Sequence, residues 1–486
     1  MKNMDSRHLI FKCLLIALPF LINLLTLKNG HNWGDDFAMY ILHAQNLISG
    51  RHYTAGIIDG ILVDYNVIWP PLYPLILSPL LYFFGMNFVI LKAINVLFWG
   101  AIVAGTYIFF TLKKDEHVFR YMVLLAWSSF FFIFKQNVLS DILFTGLVLY
   151  AVIFYEYFQK DHRDKYFYLF TGFAVLAYLA RSAGLALFVA AVAHLLLRKE
   201  NRKAFFIGIV LAVTTVVQHL LLGTAAGYWH QISQDPWVTV KQVVHQAPLT
   251  LKALLWVFVP EHTVMTFTFN HYLAGGLNVA GYLLPFIVII FLIRKIAARS
   301  ISFTGLFLAV YLALVYTWAF FPQPPAAFAR VLLPVYVFAI FYSFHFIKTI
   351  SNRLFGQRML LANIVFAVVL SLNCFDIALN YNFNDDVLFY RENQEMFAWV
   401  REHVASDEVV MFAKPRLFKL MTGKKSTYVM NGNPYDLDDR IRGFNVRYII
   451  LGNNFSDIVF RSISLVPERF RIIWTNAQYS IFQVFP

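Results

Sequence analysis

Charge is scarce in this chain. Asp, Glu, Lys and Arg make up 14% of its 486 residues against 59% hydrophobic ones, and the mean hydropathy is +0.61. Soluble domains carry roughly a quarter charged residues, so these values exclude a soluble globular protein and leave a polytopic membrane protein. Cysteine is nearly missing too. Cys13 and Cys374 fall at opposite ends of their predicted spans and so on opposite membrane faces, which argues against a disulfide, and neither has metal-ligand spacing. There is no internal repeat, no low-complexity tract, no glycine-rich phosphate loop and no nucleophile elbow.

The formal net charge of +13 invites a nucleic-acid partner. Many of the cations sit in short clusters between apolar runs, where they orient membrane helices, and no basic module with interleaved aromatics occurs, so no nucleic acid is expected. The apolar run from Leu14 to Leu27 follows Lys2, Arg7 and Lys12, like the opening of a signal peptide. No small-residue cleavage pattern follows it, so it reads as an uncleaved first helix.

A helix that crosses hydrocarbon needs about 20 mostly apolar residues, because lipid cannot satisfy free backbone groups. Spans are expected near 8–27, 87–112, 118–135, 139–158, 167–180, 183–197, 204–222, 277–297, 302–320, 329–347 and 357–377. With a cytoplasmic N-terminus, the cytoplasmic loops hold Lys113, Lys114 and Arg120; Lys160, Arg163 and Lys165; Arg198, Lys199, Arg202 and Lys203; Arg294, Lys295 and Arg299; and Lys348, Arg353 and Arg358. The opposite short loops carry isolated cations such as Lys28, Arg51, Lys135, Arg181 and Arg330. That asymmetry places the loop with Asp35 and Asp36, the loop around 223–276 and the tail beyond Asn380 outside.

The first outer loop is long, and its Trp69-Pro70-Pro71-Leu72-Tyr73-Pro74 segment is expected to break helix, with Leu75 to Phe84 following as a helix at the membrane interface. The second holds Tyr228, Trp229, His230, Asp235, Trp237 and Trp256, aromatics suited to headgroup level or simply to anchoring. From Asn382 the apolar runs shorten. Glu395 to His403 reads as an amphipathic helix, Glu408 to Ala413 and Val446 to Leu451 as buried strands, and Ile472 to Val484 as a strand pair turning at Asn476. The expected organisation is an all-α polytopic membrane domain, 1–380, with outer loops 28–86 and 223–276, and a small extracytoplasmic α/β domain, 381–486, with a supporting or acceptor-handling role.

Several polar residues interrupt this pattern. Asp35 and Asp36 stand just outside the first span, with Asp59 and Asp64 in the same loop, and either solvate the loop or supply a general base or a cation ligand. Asp141 opens the span 139–158, where a helix dipole favours an acid. Arg181 and Arg330 stand at outer ends of apolar stretches, where each either snorkels to headgroups or grips a phosphate with its guanidinium fork. Glu261, His262 and His271 lack helical metal-ligand spacing, and His43 and His52 read as surface residues.

In order, these motifs resemble the GT-C superfamily of integral-membrane glycosyltransferases, which use polyprenyl-phosphate sugars and include protein O-mannosyltransferases and lipid A aminoarabinose transferases. Asp36, Tyr40, Ala44, Leu47 and Gly50 match the acid, Tyr, Ala, Leu and Gly of the family's first outer loop. The family most often places Glu after its Asp; here Phe37 follows and Asp35 precedes, so both acids stand as candidates. Pro70-Pro71-Leu72-Tyr73-Pro74-Leu75, ending at Gly85, is similar to the family's proline-rich entry to its next helix. Leu139-Ser140-Asp141, the Arg181 before Gly184, and Arg330 four residues before Pro334 match further family positions.

The resemblance implies a GT-C-like bundle of about 11 transmembrane helices. It implies catalytic Asp36 and Asp35, and substrate-binding Asp141, Arg181, Arg330, Tyr40 and Tyr73. The partners it implies are a polyprenyl-phosphate sugar, a glycolipid, glycan or protein acceptor, and the bilayer; the loop charges put the site on the extracytoplasmic face, and the compact chain favours a bacterial cytoplasmic membrane. No cofactor is certain; paired acids permit a divalent metal, which some family members require. A transporter or lipid flippase is the alternative, and would carry ionisable residues near mid-membrane in two related halves; a non-catalytic sugar-binding subunit is a third reading.

Overall fold

The structure is a computed structural model that describes residues 6–63, 69–222, 260, 301–318, 330–355, 360–380, 386–428, 434–452, 463 and 467–485. The expected span 277–297, the aromatics Tyr228, Trp229, Trp237 and Trp256, and Asp64, Glu261, His262 and His271 lie outside the described residues.

The helices run α1 (Ser6–Leu25), α2 (Asp36–Ile48), α3 (Leu72–Phe84), α4 (Phe88–Leu112), α5 (Val118–Ala126), α6 (Ser129–Phe134), α7 (Asp141–Asp161), α8 (Asp164–Ala180), α9 (Leu185–Leu197), α10 (Asn201–Leu222), α11 (Phe303–Trp318), α12 (Leu333–Phe355) and α13 (Leu360–Leu379). Among the described residues, α4, α7, α10, α12 and α13 are long and apolar enough to cross a membrane, and α1, α3, α9 and α11 hold shorter apolar stretches. This is a multi-pass membrane protein.

Local chemistry sets the boundaries. Asn87 caps α4 by accepting the Ile90 amide at 3.3 Å, and α7 ends at His162 in the left-handed region. The expected span 118–135 is broken at Trp127 and Ser128 into α5 and α6. Asn373 on α13 accepts the Ser129 amide at 2.9 Å, which satisfies a donor that the break frees. The proline-rich stretch becomes helical sooner than expected. Helix α3 begins at Leu72, with Pro71 at its cap and Pro74 in its first turn, where amides have no intrahelical partner to lose.

Contacts fix the sense of the bundle. Ion pairs Lys113–Glu156 (2.7 Å), Lys203–Asp164 (3.2 Å) and Lys348–Glu116 (3.2 Å) gather the ends of α4, α7 and α12 with the approaches to α5, α8 and α10. The N-termini of α2 and α7, the C-terminus of α8 and the approach to α12 meet elsewhere, at what is here called the site end. In lipid, helices are held by packing rather than by transfer out of water. Trp99, fully buried, stacks on Phe131 at 5.2 Å and donates to the Leu125 carbonyl at 3.2 Å. Leu14, Leu21, Phe205, Val213 and Leu220 stay exposed, as lipid-facing side chains do.

The C-terminal segment adds α14 (Arg391–His403), α15 (Pro415–Thr422) and α16 (Pro434–Phe444) with a sheet of β1 (Ile61–Leu62), β2 (Val409–Met411), β3 (Lys425–Thr427), β4 (Val446–Gly452), β5 (Phe470–Thr475) and β6 (Tyr479–Val484). The order is β1-β3-β2-β4-β6-β5, parallel through β4 and antiparallel beyond. Asn476 makes the expected turn by accepting the Gln478 and Tyr479 amides. The first strand comes from the loop after α2. A Cβ on Gly60 would lie 2.4 Å from the Gly56 carbonyl oxygen, so only glycine fits the turn that leads into β1.

Candidate active site

Asp36 is the first residue of α2, not part of an irregular loop. An acid in the first turn suits the helix dipole, and Phe37, Tyr40, Ile41 and Ala44 recur at helical spacing on a buried face. Asp141 likewise opens α7. Ser140 precedes it but does not cap the helix; its hydroxyl is shared with Tyr40 at 2.7 Å, which ties α2 to the start of α7.

Arg181 ends α8 in extended conformation, φ −154° and ψ 137°. The chain then folds back so tightly that a Cβ on Gly184 would lie 2.5 Å from the Tyr178 amide nitrogen, and this turn aims Arg181 at α7. Arg330 lies immediately before α12, and the next residue's carbonyl accepts from the Tyr311 hydroxyl at 2.6 Å.

The four charges meet. Arg181 reaches Asp141 Oδ1 at 2.5 Å, and Arg330 spans both acids, at 2.8 Å from Asp36 Oδ2 and 3.3 Å from Asp141 Oδ1. Asp141 is only 2% exposed, and its Oδ2 has no hydrogen-bond partner among the described residues. Leaving a buried carboxylate oxygen unsatisfied is costly, and the two guanidinium groups at Asp141 Oδ1 offset that cost.

Burial pushes the Asp36 carboxyl up, but Arg330 and Arg416 outweigh it and hold the group below the usual carboxylate range. Asp35 moves the other way, because burial exceeds what Arg416 and the Leu417 amide return. Tyr40 and Tyr73 are fully buried, edge to face at 5.0 Å, with Tyr73 donating to Asn95 Oδ1 at 3.3 Å. They pack behind the charged cluster. Asp59 is exposed.

His43 departs from its expected surface position. It is fully buried, stacked on Tyr53 at 4.0 Å with Nδ1 at 2.9 Å from the Tyr53 carbonyl, because the chain after α2 folds back over the helix. Burial lowers its pKa to about 4.

Among the described residues no group of three His, Cys, Asp or Glu side chains is placed to hold a metal ion. The donor set here fits one poorly, since guanidinium groups already occupy the carboxylates a cation would need. Arg416, from α15, is the residue sequence reading missed. Its Nη1 lies 3.4 Å from Asp36 Oδ1, and nothing local at Lys414-Pro415-Arg416 signals a contact with the first loop.

Helices in this order, with a polar cluster at one end and a small sheet beyond it, form a fold that solved membrane-protein structures share. The chain is similar to ArnT from Cupriavidus metallidurans bound to undecaprenyl phosphate, at 10% identity and TM-score 0.53 over 99% of this chain and 98% of that one. It is also similar to the oligosaccharyltransferase AglB from Archaeoglobus fulgidus, in complex with an inhibitory peptide and a dolichol-phosphate, at 11% identity and TM-score 0.55 over 94% of this chain and 71% of that one. A further structure of the Archaeoglobus fulgidus oligosaccharyltransferase, tethered with an acceptor peptide, matches at 12% identity and TM-score 0.52, over 97% and 74% of the two chains. At such identities the likeness is one of fold. No family model and no curated protein matches the chain.

Proposed function

We propose that this chain is a membrane glycosyltransferase that moves a sugar from a polyprenyl-phosphate donor to a hydroxyl of a glycolipid, polysaccharide or protein, with inversion. One observation carries the reading: Asp36, Asp141, Arg181 and Arg330, contributed by four separate segments of an apolar bundle, converge at one end of it, with an unsatisfied Asp141 oxygen among them. The fold neighbours were solved with undecaprenyl phosphate and dolichol-phosphate, which supports the donor class.

In this reading the acceptor oxygen attacks the anomeric carbon, its proton passes to a carboxylate oxygen of Asp36, and the bond from anomeric carbon to phosphate oxygen breaks. Arg181 and Arg330 stabilise the charge that returns to the leaving polyprenyl phosphate. Asp141 orients Arg181 and Arg330 toward the donor phosphate, and Tyr40 and Tyr73 hold α2 and α3 behind it. The donor phosphate competes with Asp36 and Asp141 for the two guanidinium groups, so donor binding frees the carboxylate that acts next.

The cation clusters lie at the other end of the bundle, which supports an extracytoplasmic site in a bacterial cytoplasmic membrane, with 1–380 membrane-embedded and 381–486 outside. A transporter or flippase would carry its paired charges at mid-span; these sit at helix ends.

The test is release of polyprenyl phosphate by purified, detergent-solubilised protein from a panel of polyprenyl-phosphate sugars supplied with candidate acceptors. Asp36→Asn is expected to lower kcat by about 10²–10⁴-fold while donor binding persists. Absence of turnover with every donor and acceptor in wild type would overturn the reading.

A further inference from the structure

Two acids stand at the start of α2, and the sequence does not distinguish their roles. Asp35 stands at the N-cap position of α2 yet makes no side-chain cap there. Its Oδ1 instead accepts the Leu417 amide at 3.0 Å. That amide belongs to the first turn of α15, whose own N-cap residue is Lys414, a side chain with no acceptor, and whose first residue is Pro415. Asp35 thus caps a helix from a distant part of the chain.

The next residue of α15 completes the arrangement. Arg416 places Nε 3.7 Å from Asp35 Oδ2 and Nη1 3.4 Å from Asp36 Oδ1, with its guanidinium 5.8 Å from the centre of the Trp69 ring. The segment is anchored independently. Ser426 donates to the Gly60 carbonyl at 2.9 Å, Thr427 Oγ1 to the Leu62 carbonyl at 2.6 Å, and Leu388 to the His31 carbonyl at 3.1 Å, while Trp33 meets Phe412 edge-on at 5.9 Å. Arg416 is therefore held on a rigid element, as a positioning group must be.

From this geometry we infer that Asp35 is a latch that caps α15, that Asp36 alone is the base, and that Arg416 is a positioning residue that orients Asp36 from the C-terminal segment. The inference rests on the transferase reading and extends it: the C-terminal segment completes the active site. Arg330 and Arg416 divide the Asp36 carboxylate, one on each oxygen. Asp36 also feels Arg181, and Asp35 feels Lys414 and Asp36 itself.

The experiment measures kcat, donor KM and the acid limb of kcat/KM against pH for wild type, Asp35→Asn, Asp36→Asn, Arg416→Gln and Arg416→Lys. Asparagine still accepts the Leu417 amide, so Asp35→Asn is expected to slow turnover by no more than about tenfold, whereas Asp36→Asn slows it by about 10²–10⁴-fold. Arg416→Gln is expected to lower kcat by about 10–100-fold with donor KM within about twofold. It also removes one of the cations that hold the Asp36 pKa down, so the acid limb moves to higher pH, and Arg416→Lys brings it part of the way back. A purely architectural role would leave the limb in place.

Loss of activity in Asp35→Asn equal to that in Asp36→Asn, or an unmoved acid limb in Arg416→Gln, overturns the inference. A wild type without turnover sinks the transferase reading instead, and the latch is then tested by melting temperature. Asp35→Ala, which removes the acceptor of the Leu417 amide, is expected to lower the melting temperature while Asp35→Asn largely keeps it, and an unchanged melting temperature in Asp35→Ala overturns the latch.

Discussion

At the end of the bundle where α4 and α7 finish, two ion pairs on the rim are largely hydrated, Lys203–Asp164 with side chains 31% and 65% exposed and Lys348–Glu116 with 28% and 74%, while Lys113–Glu156 is more enclosed. At the site end, three arginines and three carboxylates share one cluster in which Arg330 touches two acids and Asp36 two arginines. Rim pairs contribute little, because water screens them. The buried cluster depends on each partner, since removing one strands the charge of another. The hydrated rim pairs thus contribute little, whereas the charges at the site end act as a single unit.

Replacement of single partners sharpens that contrast. The largest effect is expected for Arg330→Ala, which strips Asp36 of its nearer guanidinium and Asp141 of one of two. Turnover should fall by about 10²–10³-fold, and stability by about 3–5 kcal/mol, read from kinetics and thermal melting in detergent. Retention of both would dissolve the idea of a unit. Gly184→Ala comes next. A methyl group forced against the last turn of α8 shifts Arg181, at a cost of about 1–3 kcal/mol, and raises donor KM; an unchanged KM would mean that Arg181 does not need this turn. Glu116→Gln is expected to leave melting temperature and turnover unchanged, and a substantial loss there would erase the difference between the two ends.

Much of this was legible beforehand. The long apolar runs became α4, α7, α10, α12 and α13, and Asp36, Asp141, Arg181 and Arg330 stood out because charge at the end of an apolar stretch is conspicuous. Their meeting was expected only through the order of the motifs; no local pattern states that Arg330 spans two acids. Helix α2 was hidden by its polar setting, His43 by the chain that folds over it, and the break at Trp127 and Ser128 by unbroken hydrophobicity. Arg416 was beyond reach because its meaning comes from a contact across the whole chain. Strand β1, at two residues, is too short to show any periodicity.

That strand has a consequence for how the molecule comes into being. Leu62 and its partner Thr427 are 365 positions apart. At synthesis rates of about 5–20 residues per second, the first loop waits roughly 20–70 s after its own translation before β3 exists to receive it. Through most of that interval Asp35 has no helix to cap and Asp36 lacks both of its guanidinium partners, Arg330 and Arg416. Synthesis of α15 and β3 is the event that finishes the cluster, so a ribosome that stalls before them leaves a membrane-inserted chain with an unassembled site.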